Sequence, residues 1–350
     1  MATHVVVGGQ FGSEGKGAFT AGLVRKIKGE GPVAAIRVGG PNAGHSVVDP
    51  TGRVWKLRQV PVAAVVDPDA MLIIAPGSEV DKHVLHDEIT ELDYAGFNVT
   101  DRLFIDRTAT LIEPSDAERE HAGGLIDLIG STGKGIGLAR SRRIMRSAEL
   151  VGDQGVDTTE AMGDFQPANI VIEGTQGYGL GLHAGYYPYC TSRDCRAIDF
   201  LAEAGLNPWG QKVRVWVVYR TFPIRVAGNS GPLAFETSWE ELADKYGSHI
   251  KEERTTVTNK VRRVGVWDHS LARAAMVANG GPSHHVRAAV MFADYLIPEL
   301  YNAEAMPGYD KDPDTLVKLQ KFMYVWSDAV GPAWAIGTGP DTLIWRIEPE

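Results

Sequence analysis

Short, consecutively apolar runs alternate with helix-period stretches along almost the whole chain. Residues 4–7, 33–38, 71–75, 103–106, 169–173, 213–219 and 287–292 read as strands, and residues 14–28, 81–95, 113–129 and 315–329 as helices. A strand that is apolar at every position must be covered on both faces. Strands of that kind separated by helices imply a largely parallel central sheet flanked by helices, an α/β architecture. No repeat, low-complexity tract or break in composition divides the sequence. Residues 1–350 are therefore expected to form one α/β domain with long functional loops.

Composition narrows the function classes. The formal net charge is −9, the opposite of the basic excess a nucleic-acid binder carries, so no nucleic-acid partner is expected. Basic residues do cluster at 140–146 and 260–263, a pattern suited to small anionic ligands. The two cysteines, Cys190 and Cys195, lack zinc-site spacing and form no disulfide framework, which fits reduced thiols in the cytoplasm. No apolar run approaches the about 20 residues that span a bilayer, and the start of the chain has no signal-peptide pattern.

The first strand runs into Gly8-Gly9-Gln10-Phe11-Gly12-Ser13-Glu14-Gly15-Lys16-Gly17, which then opens a helix. Glycines let backbone N–H groups close around phosphate oxygens, the helix N-terminus adds a favourable dipole, and Lys16 supplies a charge for β/γ-phosphates. A P-loop-like phosphate site is the expectation. The Walker A pattern itself is not met, because Gln10 stands at its first glycine and Gly17 at its hydroxyl residue. On this segment alone a generic glycine-rich turn stays open.

Further motifs follow. They are Gly39-Gly40-Pro41-Asn42-Ala43-Gly44-His45; Ile129-Gly130-Ser131-Thr132-Gly133-Lys134-Gly135-Ile136-Gly137; Glu173-Gly174-Thr175-Gln176-Gly177 with Tyr187-Pro188-Tyr189-Cys190-Thr191-Ser192; Thr258-Asn259-Lys260-Val261-Arg262-Arg263-Val264-Gly265; and Gly337-Thr338-Gly339-Pro340. With the first loop, this series resembles the adenylosuccinate synthetase family, motif by motif and in the family's order. The chain is nearer in length to the compact archaeal and viral members than to the common bacterial ones.

The resemblance implies a carbon–nitrogen ligase that spends a nucleoside triphosphate. The γ-phosphate goes to the purine 6-oxygen, and the amine of L-aspartate then displaces phosphate at C6. By resemblance, Ser13, His45, Lys16 and Gln176 carry the catalysis, with His45 polarising the 6-oxygen. Gly12, Ser13, Glu14, Gly15, Lys16, Gly17, Gly44, His45, Asp294, Gly337 and Gly339 are placed around the triphosphate. Ser13 and the Gly44 carbonyl are placed on Mg²⁺, the cation expected to bridge phosphates. Ser13, Asn42, Ser131, Thr132, Arg146, Gln176, Thr191 and Tyr219 are placed around the purine monophosphate, and Thr256, Val257, Thr258, Lys260 and Arg262 around aspartate. Arg146 comes from the neighbouring subunit in this family, which implies a homodimer with shared sites. On residue type alone, Arg140, Arg142 and Arg143 read as solvated charges on a basic helix, and Arg263 as surface charge.

Two departures bear on the substrate. Family members acting on IMP carry aspartate at position 13, which takes the N1 proton. A serine hydroxyl is too weak an acid to serve as a ready base, and it brings no charge. It is small and neutral, and leaves room beside C2, where guanine carries an amino group. The chain thus resembles the phage-encoded, dGMP-using members that make N6-succino-2-amino-2′-deoxyadenylate for 2-aminoadenine nucleotides. Such an enzyme would work in the host cytoplasm. Lys260, where the family usually has arginine, points the same way towards a deoxyribose. The second departure is Val290-Met291-Phe292-Ala293-Asp294, where GTP-using members read L-T-K-L-D. Phe292 replaces the lysine, so ATP or dATP is the expected donor, with GTP the alternative. An ordinary synthetase acting on IMP and GTP is the competing reading. A nucleotide-binding regulator without catalysis and a P-loop GTPase switch are the other classes. The retained aspartate loop argues against the first. The loop's lack of a Mg²⁺-binding hydroxyl after the lysine argues against the second.

Overall fold

The computed structural model describes residues 1–254, 260–308, 310 and 312–346. In chain order, β1 (Ala2–Gly8) leads through the glycine-rich loop into α1 (Lys16–Ile27), followed by β2 (Val33–Arg37), the hairpin β3 (His45–Val48) and β4 (Val54–Leu57), and β5 (Met71–Ile74). Next come β6 (Glu79–Val80), α2 (Lys82–Tyr94), β7 (Leu103–Ile105), β8 (Thr110–Leu111), α3 (Pro114–Ala122), α4 (Leu125–Ile129), α5 (Ile136–Ile144), α6 (Thr158–Phe165) and β9 (Asn169–Glu173). The second half holds α7 (Ala197–Glu203), β10 (Lys212–Arg220), β11 (Ile224–Arg225), β12 (Glu236–Thr237), α8 (Trp239–Tyr246), β13 (Arg263–Gly265), α9 (His269–Ala278), β14 (Val286–Met291), α10 (Pro313–Val330), β15 (Ala333–Gly337) and β16 (Leu343–Trp345).

Nine of these strands make one sheet in the order β16-β15-β14-β10-β1-β9-β2-β5-β7. Every neighbouring pair is parallel except β15 with β16. The first strand lies in the middle because its Thr-His-Val-Val-Val run is buried on both faces. One face packs Val5, Val7, Ile36, Ile172, Phe200 and Phe322 in one core; the other packs Val6, Phe19, Leu23, Leu72, Val171 and Val218. Each such side chain contributes about 1.5–3 kcal/mol on burial.

The α/β expectation holds, and nearly every expected strand and helix appears within a residue or two of its sequence bounds. The helix expected over 113–129 is two helices. Gly124 adopts φ 67°, a left-handed conformation that costs glycine little and breaks the helical ladder between α3 and α4. The parallel strands all present their carboxyl ends on one side of the sheet, where ligands bind in open α/β sheets. The glycine-rich loop, the Gly39–Gly44 loop, the Gly174–Gly177 turn and the segment after β14 all leave the sheet there.

Candidate active site

The glycine-rich loop is shaped from inside by Glu14. Its carboxylate is fully buried, and Oε1 accepts from the main-chain N–H of Gln10 at 3.1 Å and of Gly12 at 2.8 Å. Its other oxygen pairs with Lys16 Nζ at 2.6 Å, and Lys16 also donates to the carbonyl of Gln176. Three donors that would suit an anion thus converge on one carboxylate. Gly8 must lack a side chain, because a Cβ there would stand 2.6 Å from the Glu14 oxygens. Gly12, Ser13 and Gly15 all have positive φ, so the turn doubles back before Lys16 starts the helix. Gln10 has its own task where a Walker loop has glycine. Its side-chain amide donates to the Arg220 carbonyl at 3.1 Å and accepts from the Arg220 N–H at 3.0 Å, tying the loop to the end of β10.

Ser13 sits between two arginines. Its carbonyl accepts from Arg220 Nη1 at 3.0 Å and its hydroxyl from Arg262 Nη1 at 3.2 Å. Glu253 pairs with Arg220, and its carbonyl accepts the Arg262 N–H at 2.8 Å. Burial works against the Glu253 carboxylate, yet Arg220 holds it below the usual carboxylate range. Lys260 is exposed. Thr256, Val257 and Thr258 lie outside the described residues.

His45 opens β3, beside the start of α1; a Cβ on Gly17 would stand 2.9 Å from the His45 Cβ. The imidazole is buried, and its Nδ1 contacts the Glu173 carboxylate and, at 2.5 Å, Arg37 Nη1. Burial first, then the Arg37 charge, brings its pKa down to about 4, so it is neutral at pH 7. Burial would raise the Glu173 carboxyl, but Arg37 and His45 together hold it low.

The residues expected around a purine monophosphate divide. Asn42 Oδ1 and Gln176 Oε1 are buried and accept no hydrogen bond from the described residues. Gln176 is held in the left-handed region, φ 54°. Thr191 is half-buried; Ser131 caps its own turn, accepting from Gly133 N–H at 3.2 Å, and Thr132 is exposed. Arg146 is exposed, and within this chain it donates to the carbonyl of Ile144. Tyr219 departs from expectation. Its ring is fully buried under Gly9 and its hydroxyl donates to the Ala272 carbonyl at 3.0 Å, so its side chain supports the loop from below. Arg140 and Arg142 are also not solvated charges. Arg140 pairs with Glu79 and Glu203, and Arg142 with Glu113 and Asp116.

Around the expected triphosphate base, Asp294 follows β14, and burial raises its carboxyl. One face of the Phe292 ring is covered by the Arg220 guanidinium, 4.4 Å from the centroid, and its edge lies against Gly15. Gly337 ends β15 against Met291, and Gly339 abuts Asn302 and Thr342. Gly44 is exposed. No group of three or more His, Cys, Asp or Glu among the described residues could hold a metal.

The sequence patterns did not single out Arg37, Arg220, Glu253 or Arg193. Arg193 is buried and pairs with Glu79 and Glu203. These four act through partners far away in sequence, and only the charge in an otherwise apolar β2 hints at Arg37.

The comparisons with known proteins converge on the same reading. The sequence profile of adenylosuccinate synthetases matches residues 5–156 and 154–289. The chain belongs to the adenylosuccinate synthetase family. The adenylosuccinate synthetase of Thermococcus onnurineus (strain NA1) is 36% identical over 352 residues, covering 97% of both chains, and that of Pyrococcus horikoshii 36% over 353 residues, again 97% of both. Among solved structures, the succinoaminodeoxyadenylate synthetase of cyanophage S-2L bound to dGMP and dATP matches with a TM-score of 0.79 at 27% identity, over 98% of this chain and 95% of that one. The fully ligated adenylosuccinate synthetase of Plasmodium falciparum has the same fold, with a TM-score of 0.80 at 18% identity, over 98% and 99%. The protein is thus a carbon–nitrogen ligase driven by a nucleoside triphosphate. No helix among the described residues is long and apolar enough to cross a membrane.

Proposed function

We propose that this ligase joins L-aspartate to C6 of dGMP at the expense of ATP or dATP, giving N6-succino-2-amino-2′-deoxyadenylate, a precursor of 2-aminoadenine nucleotides. One observation carries the reading: at the position where IMP-using members hold a carboxylate, this chain has a neutral hydroxyl braced by Arg262. A carboxylate would crowd and repel little of IMP, but it would meet the 2-amino group of guanine. The cyanophage structure, with dGMP and dATP bound, supports the same pair of substrates.

In this reading the 6-oxygen attacks the γ-phosphorus as the N1 proton is lost, the bond to the β-phosphate oxygen breaks to release the nucleoside diphosphate, and the aspartate amine then adds at C6, losing a proton as phosphate departs. Lys16 and the loop N–H groups neutralise phosphate charge, Asn42 and Gln176 hold the nucleotide, and Arg262 receives an aspartate carboxylate. Mg²⁺ suits the donors present. The Gly44 carbonyl and the Ser13 hydroxyl are hard oxygens, and phosphate and water would supply the rest of its coordination. It would neutralise charge on the transferring phosphoryl group. One domain, residues 1–350, carries all these parts, in a cytoplasmic homodimer.

The test is a matrix of dGMP, GMP and IMP against ATP, dATP and GTP, reading aspartate-dependent phosphate release. Turnover should be highest with dGMP and ATP or dATP, and Ser13→Asp should lose dGMP activity. Robust IMP turnover without dGMP turnover would favour the second reading, an ordinary synthetase using IMP and GTP. The names of the relatives 35–36% identical over nearly the whole chain keep that reading alive.

A further inference from the structure

We infer that Arg220 is a positioning residue that sets Ser13 and Arg262 against each other, and with them the purine and the incoming aspartate. The inference rests on the reading above, which puts the purine beside Ser13 and an aspartate carboxylate on Arg262.

Arg220 ends β10, the neighbour of β1 in the middle of the sheet. Its main chain is tied to the glycine-rich loop through the Gln10 amide, and its side chain, 1% exposed, reaches the same loop a second time. Nη1 donates to the Ser13 carbonyl at 3.0 Å and to Glu253 Oε2 at 3.2 Å, while Nη2 donates to Glu253 Oε1. The Tyr295 hydroxyl donates to Oε1 as well, at 3.4 Å. The guanidinium carbon lies over the Phe292 ring, 4.4 Å from its centroid. Ser13 has φ 56°, a conformation that a residue with a side chain keeps only where its surroundings impose it.

Glu253 carries the contact onward. Its carboxylate takes both arms of Arg220, and its carbonyl accepts the Arg262 N–H at 2.8 Å. Arg262 Nη1 then returns to the Ser13 hydroxyl at 3.2 Å. The contacts close a ring from the Ser13 carbonyl through Arg220, Glu253 and Arg262 to the Ser13 hydroxyl. No member can shift without breaking a contact to the next, so the ring fixes a spacing that separate contacts would leave loose. Two guanidiniums and one carboxylate leave one positive charge in it. Arg220 spends its charge on Glu253, and the charge of Arg262 is left to answer a substrate carboxylate. A lysine at 220 would keep the charge but not the planar fork that meets a carbonyl and both carboxylate oxygens at once.

Steady-state kinetics on the full chain test this, with whichever purine monophosphate the wild type turns over. Arg220→Gln releases Glu253. It should raise KM for aspartate about tenfold or more and lower kcat about 10- to 100-fold, the loss that follows when aligned groups move by about 1 Å. KM for the two nucleotides should change less than about threefold. Glu253→Gln should give the same pattern, and the double variant should lose no more than the worse single one, because both act through one contact. Arg220→Lys should recover part of kcat. Arg220→Lys and Glu253→Gln carry the comparison if Arg220→Gln does not fold. An aspartate KM within about threefold of wild type in the folded variants would overturn the inference. So would losses that multiply in the double variant, or equal rises in all three KM values, the mark of a general loosening. Nucleotide preference is read on the wild type alone, so a wild type that prefers IMP would sink the dGMP reading and leave this comparison intact.

Discussion

Lys16 and Glu14 show how the glycine-rich loop is braced from within. The carboxylate gathers the donors a phosphate would use, and the ammonium that could reach forward is turned inward onto it. Removing one partner leaves a buried, uncompensated charge, which costs about 3–5 kcal/mol. Lys16→Met should therefore lose both activity and stability. The double variant Lys16→Met with Glu14→Gln should recover most of the stability and none of the activity, because the glutamine still accepts from the loop N–H groups. Denaturant melts beside a turnover assay check this; equal stability in the single and double variants would mean the pair is not what braces the loop. The residues of the loop were legible in the sequence because their types and spacing repeat a family pattern. Its bracing was not. Arg220 reaches Ser13 from 207 positions away and meets Glu253 33 positions on, and no local pattern announces contacts of that span. Tyr219 shows the converse: the resemblance places it around the purine monophosphate, while its side chain, buried under Gly9, is part of the floor.

At the scale of elements, the sheet was readable because consecutive apolar residues have few other uses. The boundaries held except where glycine intervened, at Gly124, but β3, β4, β6, β8, β11, β12, β13 and β16 escaped notice because two to four residues carry no period, and β15 and helices α6 to α9 were not expected either. One exception inside β1 has a consequence for acid stability. His4 is a buried histidine in an otherwise apolar central strand, stacked on Trp216, whose Nε1–H donates to its Nδ1 at 3.2 Å. Burial first, then Arg214, Arg287 and Lys212, lower its pKa to about 4, opposed by a hydrogen bond with Asn169. The folded state thus binds fewer protons than the unfolded state, whose histidine titrates near 6.5. Stability from this group is full above about pH 6.5 and is lost as pH falls towards 4, at up to about 1.4 kcal/mol per pH unit. His4→Gln should flatten that slope, seen as a smaller loss of denaturant midpoint between pH 6.5 and 4.5. An unchanged slope would assign the acid sensitivity elsewhere, His45 being the other buried histidine held low.

For the whole molecule, the question is what stands over Arg146. This arginine follows the exposed Ile144 and Met145, 68% and 71% accessible. A charged fork set among exposed apolar side chains has the composition of an interface with a polar ligand near it. Arg140 and Arg142 of α5 are paired with carboxylates inside the chain, whereas Arg143 and Arg146 are exposed and donate only to the carbonyls of Thr108 and Ile144. If two copies meet here and each lends Arg146 to the other's nucleotide monophosphate, two defects on different subunits must complement. Arg146→Ala and His45→Asn proteins, each inactive alone, should regain about a quarter of wild-type activity when unfolded together and refolded at equal amounts, since half the dimers are hybrids with one intact site of two. Sedimentation should give twice the chain mass, and replacing Ile144 and Met145 with serine should lower both mass and activity. Absence of complementation in a mixture that sediments as a dimer would place Arg146 at its own subunit's site, and the apolar cluster would then be holding the copies together without sharing their chemistry.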